Sequence, residues 1–251
     1  MIKKQTSEKK GLDVSIDTEE MMGKGLHLGH IISKLHPKMF KNIVGVKNTV
    51  HIIDLEKTAK ALEQALLFVS ELFKDGGSII LVGTKPPLRG LVRETAEDCG
   101  IPYVVERWLG GTFTNFKVIS NRVKYYKDIE KQKEEGKFES LLKKERIKID
   151  KGLEKLGRKF DGIKNLEKVP EAVFICDISQ DQSCFREAKR MGVKVVAIVD
   201  TNVDPSLVDY PIPANDDAIP SVQYILEKLK KVIKKSKPKI KKQVAEDSKP
   251  N

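Results

Sequence analysis

The sequence predicts an α/β protein built on a mainly parallel sheet, with a helical hairpin inserted partway along the chain. Three observations carry this. Short apolar runs alternate with segments of helical period, as β-α-β-α-β units require. The runs are continuous rather than alternating, which is how strands buried on both faces read. From Phe116 to about Phe160 the alternation stops, and apolar residues step by three or four instead.

Taken in order, His51-Ile52-Ile53-Asp54-Leu55 is a short strand ending at an aspartate suited to cap a helix. Leu55, Ala59, Leu62, Leu66, Val69 and Phe73 follow at helical spacing, and Gly76-Gly77 stops them. Ser78–Val82 is a buried strand. Gly83-Thr84-Lys85-Pro86-Pro87 turns into a helix carrying Leu88, Leu91, Val92, Thr95 and Ala96, capped by Gly100. Ile101–Val105 is the next strand. Phe116, Ile119, Val123, Tyr126 and Ile129 then mark one amphipathic helix, and Leu142, Ile149, Leu153, Leu156 and Phe160 a second. They fold back at Glu135-Gly136-Lys137 as an antiparallel coiled-coil hairpin. Strands resume at Ala172–Cys176 and Val193–Val199, with a helix over 181–191 between them. Tyr210-Pro211-Ile212-Pro213 reads as an edge strand limited by its prolines, and Ile219–Ile233 as the last helix.

This gives an expected organisation of an N-terminal extension (1–17), a first part of the α/β core (18–116), the inserted hairpin (117–162), a second part of the core (163–233) and a disordered lysine-rich tail (234–251). With 251 residues and 39% hydrophobic content, a real core is expected and a wholly disordered chain is excluded. No apolar run approaches the roughly 18 residues of a membrane span, and Met1–Lys10 lacks the apolar stretch of a secretory signal. Cys99, Cys176 and Cys184 are odd in number and lack zinc-ribbon spacing, so they read as reduced thiols.

The net charge of +11 is unevenly spread. Residues 1–116 carry +2, 117–164 carry +7, 165–227 carry −6, and 228–242 carry +9 with nine lysines and no acid. A two-sided protein follows: basic parts that meet a polyanion, and an acidic face that looks elsewhere.

Motifs of nucleotide, zinc-protease and serine-hydrolase sites are absent. Gly83-Thr84-Lys85 follows a strand and opens a helix, a place where backbone N–H groups hold phosphate or simply make a turn. Leu26-His27-Leu28-Gly29-His30 sets two histidines three apart, a metal-type spacing, but its glycines speak against the helix such sites use and favour packing. Asp177, Asp200, Asp204, Asp216 and Asp217 fall at or after strand ends, on the carboxyl edge where α/β sheets bind ligands. Three readings stand there: turn and cap residues; a cation held by Asp200, Asp204, Asp216 and Asp217; or a nucleotide- or Mg²⁺-dependent enzyme using Asp177, Asp200 and Asp217 with Lys85. Arg107–Lys117 holds the single tryptophan, a glycine pair and a polar, aromatic and basic mixture at the hairpin root. It suits close contact with RNA phosphate and ribose, or a hinge packed on Trp108, or both.

Seven segments, in register, also carry a resemblance. They are Leu26-His27-Leu28-Gly29-His30, His36-Pro37-Lys38-Met39, His51-Ile52-Ile53-Asp54-Leu55, Val82-Gly83-Thr84-Lys85, Arg107-Trp108-Leu109-Gly110-Gly111-x-x-Thr114-Asn115-Phe116, Ile198-Val199-Asp200-Thr201-Asn202-x-Asp204-Pro205 and Ile212-Pro213-x-Asn215-Asp216-Asp217-Ala218-Ile219. Together, over about residues 20–230, they resemble the small-subunit ribosomal protein S-two family of the bacterial type. Pro86-Pro87 and Lys194 depart from its usual pattern.

The resemblance implies a flavodoxin-like three-layer α/β/α sandwich with a five-stranded sheet and an inserted helical hairpin. It implies a structural, non-enzymatic constituent of the cytoplasmic small ribosomal subunit, bound to rRNA near the head–body junction and helping to dock the S-one protein. No cofactor, membrane contact or homo-oligomer is expected. The expected rRNA contacts are Lys34, His36, Lys38 and Lys41 in the first loop, Lys85 at the βα turn, Arg107, Thr114, Asn115 and Lys117 at the hairpin root, and Arg122, Lys124, Arg146 and Arg158 on the hairpin.

Overall fold

The continuous apolar runs assemble into one parallel sheet of five strands in the computed structural model, which describes residues 15–236. The strands are β4 (Ile79–Val82), β5 (Tyr103–Val104), β6 (Ala172–Ile175), β7 (Lys194–Val199) and β8 (Tyr210–Pro213), in the spatial order β5-β4-β6-β7-β8. Counted along the sheet this is the 2-1-3-4-5 order of flavodoxin-like folds. In register, Ile79 lies beside Ala172, Ala172 beside Lys194, and Val196 beside Tyr210. Pro211 and Pro213 are tolerated because β8 is an edge strand.

Successive side chains of a strand face opposite ways, and the core divides accordingly. Ile79, Leu81, Phe174, Val196 and Ile198 meet helices α2 (Leu55–Lys74), α3 (Arg89–Cys99) and α7 (Ile219–Ser236) on one face. Ile80, Val82, Val173, Ile175 and Ala197 meet α6 (Gln182–Met191) and the base of a hairpin made by α4 (Phe116–Glu134) and α5 (Lys143–Phe160) on the other. Helices on both faces of the sheet make the three layers.

Within the hairpin, Ile119, Val123, Tyr126 and Phe160 are buried at the sheet end. Farther out, side chains are half-buried or exposed, and Lys133 pairs with Asp150 at 2.7 Å across the two helices. Gly136 takes φ +72° at the predicted fold-back, a conformation that costs glycine little. Leu142, expected inward, is 73% exposed because it precedes the first turn of α5, where its N–H donates to Glu145.

One expected strand belongs elsewhere. His51–Leu55 becomes β3 (Val50–Ile53), the centre of a separate antiparallel sheet with β1 (Leu28–Ile31) and β2 (Ile43–Lys47), in the order β1-β3-β2. Asn48 and Thr49 both adopt positive φ in the tight β2–β3 turn. Such turns prefer Asn-Gly, so Asn-Thr gave little hairpin signal. Asp54 caps α2 as read, accepting from the N–H groups of Glu56 and Lys57. A short helix α1 (Thr18–Gly23) precedes this sheet. Residues 1–14 and 237–251, including nearly all of the expected extension and tail, lie outside the described residues.

Candidate nucleic-acid interface at the hairpin root

The Arg107–Lys117 segment joins the sheet to α4, and one side chain from another element organises it. Glu187, on α6, accepts at Oε1 from the Gly111 N–H (2.7 Å) and the Trp108 indole N–H (3.2 Å). Its Oε2 accepts from the Phe113 N–H (3.1 Å) and from the N–H and hydroxyl of Thr114 (both 3.4 Å). The loop wraps a carboxylate much as anion-binding nests wrap phosphate. Gly111 has φ +95°, which lets consecutive N–H groups converge. Trp108 is buried and meets Phe113 edge-on, ring centres 4.8 Å apart. The hinge reading and the exposed polar rim therefore coexist: Arg107, Thr114, Asn115 and Lys117 are all exposed, with the Thr114 hydroxyl already donating to Glu187.

Arg122 and Lys124 on α4 and Arg146 on α5 are exposed and, among the described residues, have no carboxylate partner; the same holds for Arg107 and Lys117. Arg158 is exposed and pairs with Glu154 at 2.6 Å. The hairpin's orientation is set by polar contacts at its base. Tyr126 donates to Asp161 (2.6 Å), and Lys164 pairs with Glu130. Burial and the Asp161 carboxylate hold the Tyr126 hydroxyl well above the usual phenol range.

The first-loop group divides. Lys34 and Lys41 are exposed without an ion pair among the described residues. His36 Nδ1 accepts from the Lys38 N–H, so its ring caps a short 3-10 turn. Lys38 Nζ reaches Asp204 (2.7 Å) and the Ser206 hydroxyl (2.8 Å). Lys38 and Ser206 hold the Asp204 carboxyl far below its ordinary range.

The aspartates do collect at the carboxyl edge of the sheet, but around two side chains of the fold itself, Lys85 and His30. Lys85 Nζ lies 2.5 Å from Asp217, 3.0 Å from Asp177 and 3.5 Å from Asp216. His30 Nδ1 lies 3.1 Å from Asp200, and its Nε2 3.6 Å from Asp217. Burial alone would lower the Lys85 ammonium, but the Asp217, Asp216 and Asp177 carboxylates override it and hold it raised. The hydrogen bond to Asp200 raises His30. Among the described residues, His30, Asp216 and Asp217 present metal-type donor atoms within 4.8 Å of one another; Asp200 and Asp204 stand outside that group. His27 and His30 do not act together: the His27 Nδ1 is buried without a partner while His30 faces the aspartates. Sequence reasoning reached the aspartates from their strand-end positions. It missed His30 as their partner and Glu187 as the loop anchor, neither of which carries a local pattern.

Asp216 gives this edge a pH signature. Burial, then the Asp177 and Asp200 carboxylates, push it up to about 7. A carboxyl raised in the folded state stabilises fully below its unfolded value of 3.8 and ceases to do so as pH climbs through about 7. Relative to the unaltered protein, Asp216→Asn is expected to gain about 2–3 kcal/mol of stability between pH 5 and pH 8. Urea unfolding at the two pH values measures it, and a pH-independent difference would refute the raised carboxyl.

A family model described as "Ribosomal protein S2" matches residues 21–236. A curated relative from Coprothermobacter proteolyticus, "Small ribosomal subunit protein uS2", is 42% identical over 214 residues, covering 85% of this chain and 80% of the relative. No helix among the described residues is long and apolar enough to cross a membrane. The three-layer sheet, the inserted hairpin and these two matches agree: the chain belongs to the ribosomal protein S2 family of the small ribosomal subunit.

Proposed function

We propose that the chain is a cytoplasmic, ribosome-bound scaffold that grips small-subunit rRNA near the head–body junction through the hairpin and its root, and acts by placement without turnover. The observation that carries this is a contrast in pairing. Lys85 at the carboxyl edge is neutralised by aspartates, and His30 there is engaged by Asp200, whereas Arg107, Lys117, Arg122, Lys124 and Arg146 are exposed and unpaired among the described residues. Unpaired surface cations on a projecting arm are the groups that replace counterions on RNA phosphates. Thr114, Asn115, Arg158 and the first-loop residues Lys34, His36, Lys38 and Lys41 complete the face. The acidic stretch 165–227 is left for protein neighbours, the S-one protein among them; the chain binds as a single copy.

Binding of full-length protein to small-subunit rRNA is expected to weaken linearly in log affinity against log salt, with a slope near −4 if about five or six phosphates are neutralised. Arg107→Ala combined with Lys117→Ala is expected to flatten that slope by about 1.5 and to reduce incorporation into small subunits more than deletion of residues 236–251 does. Salt-insensitive binding would rule out the electrostatic grip. A more damaging tail deletion would move the interface elsewhere.

A further inference from the structure

The root of the hairpin holds a cleft of about 390 Å³, at the small end of the range of ligand sites. Its floor is apolar: Ile119 and Phe160 are buried there. Its two walls mirror each other. On α4, Arg122 and Tyr125 sit three residues apart and so share a helix face; on α5, Leu156 and Lys159 do the same. Among the described residues, no acidic side chain lines it. Tyr125 is the odd member. The inward stripe of α4 uses Ile119, Val123 and Tyr126, and Tyr125 lies off it, 61% exposed at the mouth of the cleft.

We infer that this cleft receives one unpaired nucleotide of the rRNA, its base stacked on the Tyr125 ring over the apolar floor and its flanking phosphates held by Arg122 and Lys159. This rests on the reading that the hairpin binds rRNA, and it names which structural class of RNA that surface takes. An exposed aromatic beside an apolar floor serves a base's π face, and cations on both rims match the phosphates on either side of it. A duplex cannot supply such a base, because its bases are stacked within the helix; a bulge, loop or single-stranded junction can. An apolar peptide would leave both rim cations without partners, so the charge favours RNA over a protein occupant.

The test uses the full-length protein and small-subunit rRNA, with affinity followed between roughly 50 and 200 mM salt. Tyr125→Ala is expected to bind about tenfold more weakly at every salt concentration with an unchanged slope, since stacking carries no charge. Tyr125→Phe keeps the ring and is expected to retain full affinity. Arg122→Ala is expected to flatten the slope by about 0.7–0.9. Photocrosslinking of rRNA substituted with 4-thiouridine is expected to label residues 119–125 or 156–160. If the unaltered protein binds with a steep salt dependence yet Tyr125→Ala stays within about twofold of it, or if the 4-thiouridine label falls only on residues outside the cleft, the nucleotide cleft is wrong and the rRNA reading stands. If the unaltered protein does not bind rRNA, both fall together.

Discussion

Lys85→Ala is expected to lower folding stability by about 3 kcal/mol, or roughly 10 °C in Tm for a domain of this size. The ammonium lies within 3.5 Å of Asp177, Asp216 and Asp217, and the first two are almost wholly buried. Removing it leaves two buried carboxylates facing each other without a cation, which costs far more than losing a surface ion pair. Asp217, 57% exposed at its side chain, keeps the loss below the upper end of the range for buried pairs. The deficit should shrink as pH falls from 8 to 5, because protonating Asp216 relieves the repulsion that Lys85 had screened. Combining Lys85→Ala with Asp216→Asn should recover at least about 1 kcal/mol of the loss, as expected for groups in one network. Urea unfolding decides the matter, and a change under about 1 kcal/mol would show that the three contacts are incidental. RNA affinity per folded molecule separates the two roles open to this residue. If it is unchanged, Lys85 works inside the fold; if it falls with the salt slope, the βα turn touches phosphate after all.

How much of this was legible in the chain follows from how local each signal is. Ile79–Val82, Ala172–Ile175 and Lys194–Val199 read as doubly buried strands because burial on both faces leaves few positions for a polar residue. The stripes of α2 and α7 and the fold-back at Gly136 are likewise local patterns. The aspartates were placed on the correct sheet edge because strand ends predict where the following loops lie. Lys85 was grouped with them from its βα turn, but their second partner, His30, was not, since it arrives from a separate part of the chain and no spacing links it to Asp200. The small sheet was missed for another reason. Its outer strands expose Val44 and Val46 and contain Gly29 and Gly45, so neither alternation nor a buried run marks them. Within the hairpin, period gave both helices but not the depth of packing: Leu142 was counted in the inward series yet stays in water.

Glu187→Ala is expected to disorder the hairpin root, with a loss of about 3–5 kcal/mol. One carboxylate accepts from three backbone N–H groups, an indole and a hydroxyl, and hydrogen bonds to a charged acceptor contribute roughly 1.5–3 kcal/mol each before non-additivity is counted. Without it, the Phe113 and Gly111 amides have no acceptor in a segment held against Trp108. Because Trp108 is the chain's single tryptophan, fluorescence excited at the red edge, where the tyrosines do not absorb, reports on this loop alone. Its emission should shift to longer wavelength and become open to iodide quenching well before global unfolding. Glu187→Gln retains one acceptor oxygen but turns an amide N–H toward donors, so it should fall between the alanine variant and the unaltered protein. The consequence for RNA is indirect and measurable. Arg107 and Lys117 flank the loop, and ordering two long side chains on binding costs about 1–3 kcal/mol that the anchored root has already supplied. Affinity for small-subunit rRNA should therefore drop on the order of tenfold, although Glu187 itself carries the charge that RNA repels. An Ala variant that bound more tightly, as simple removal of a negative charge would produce, would show that the carboxylate only screens the root and does not shape it.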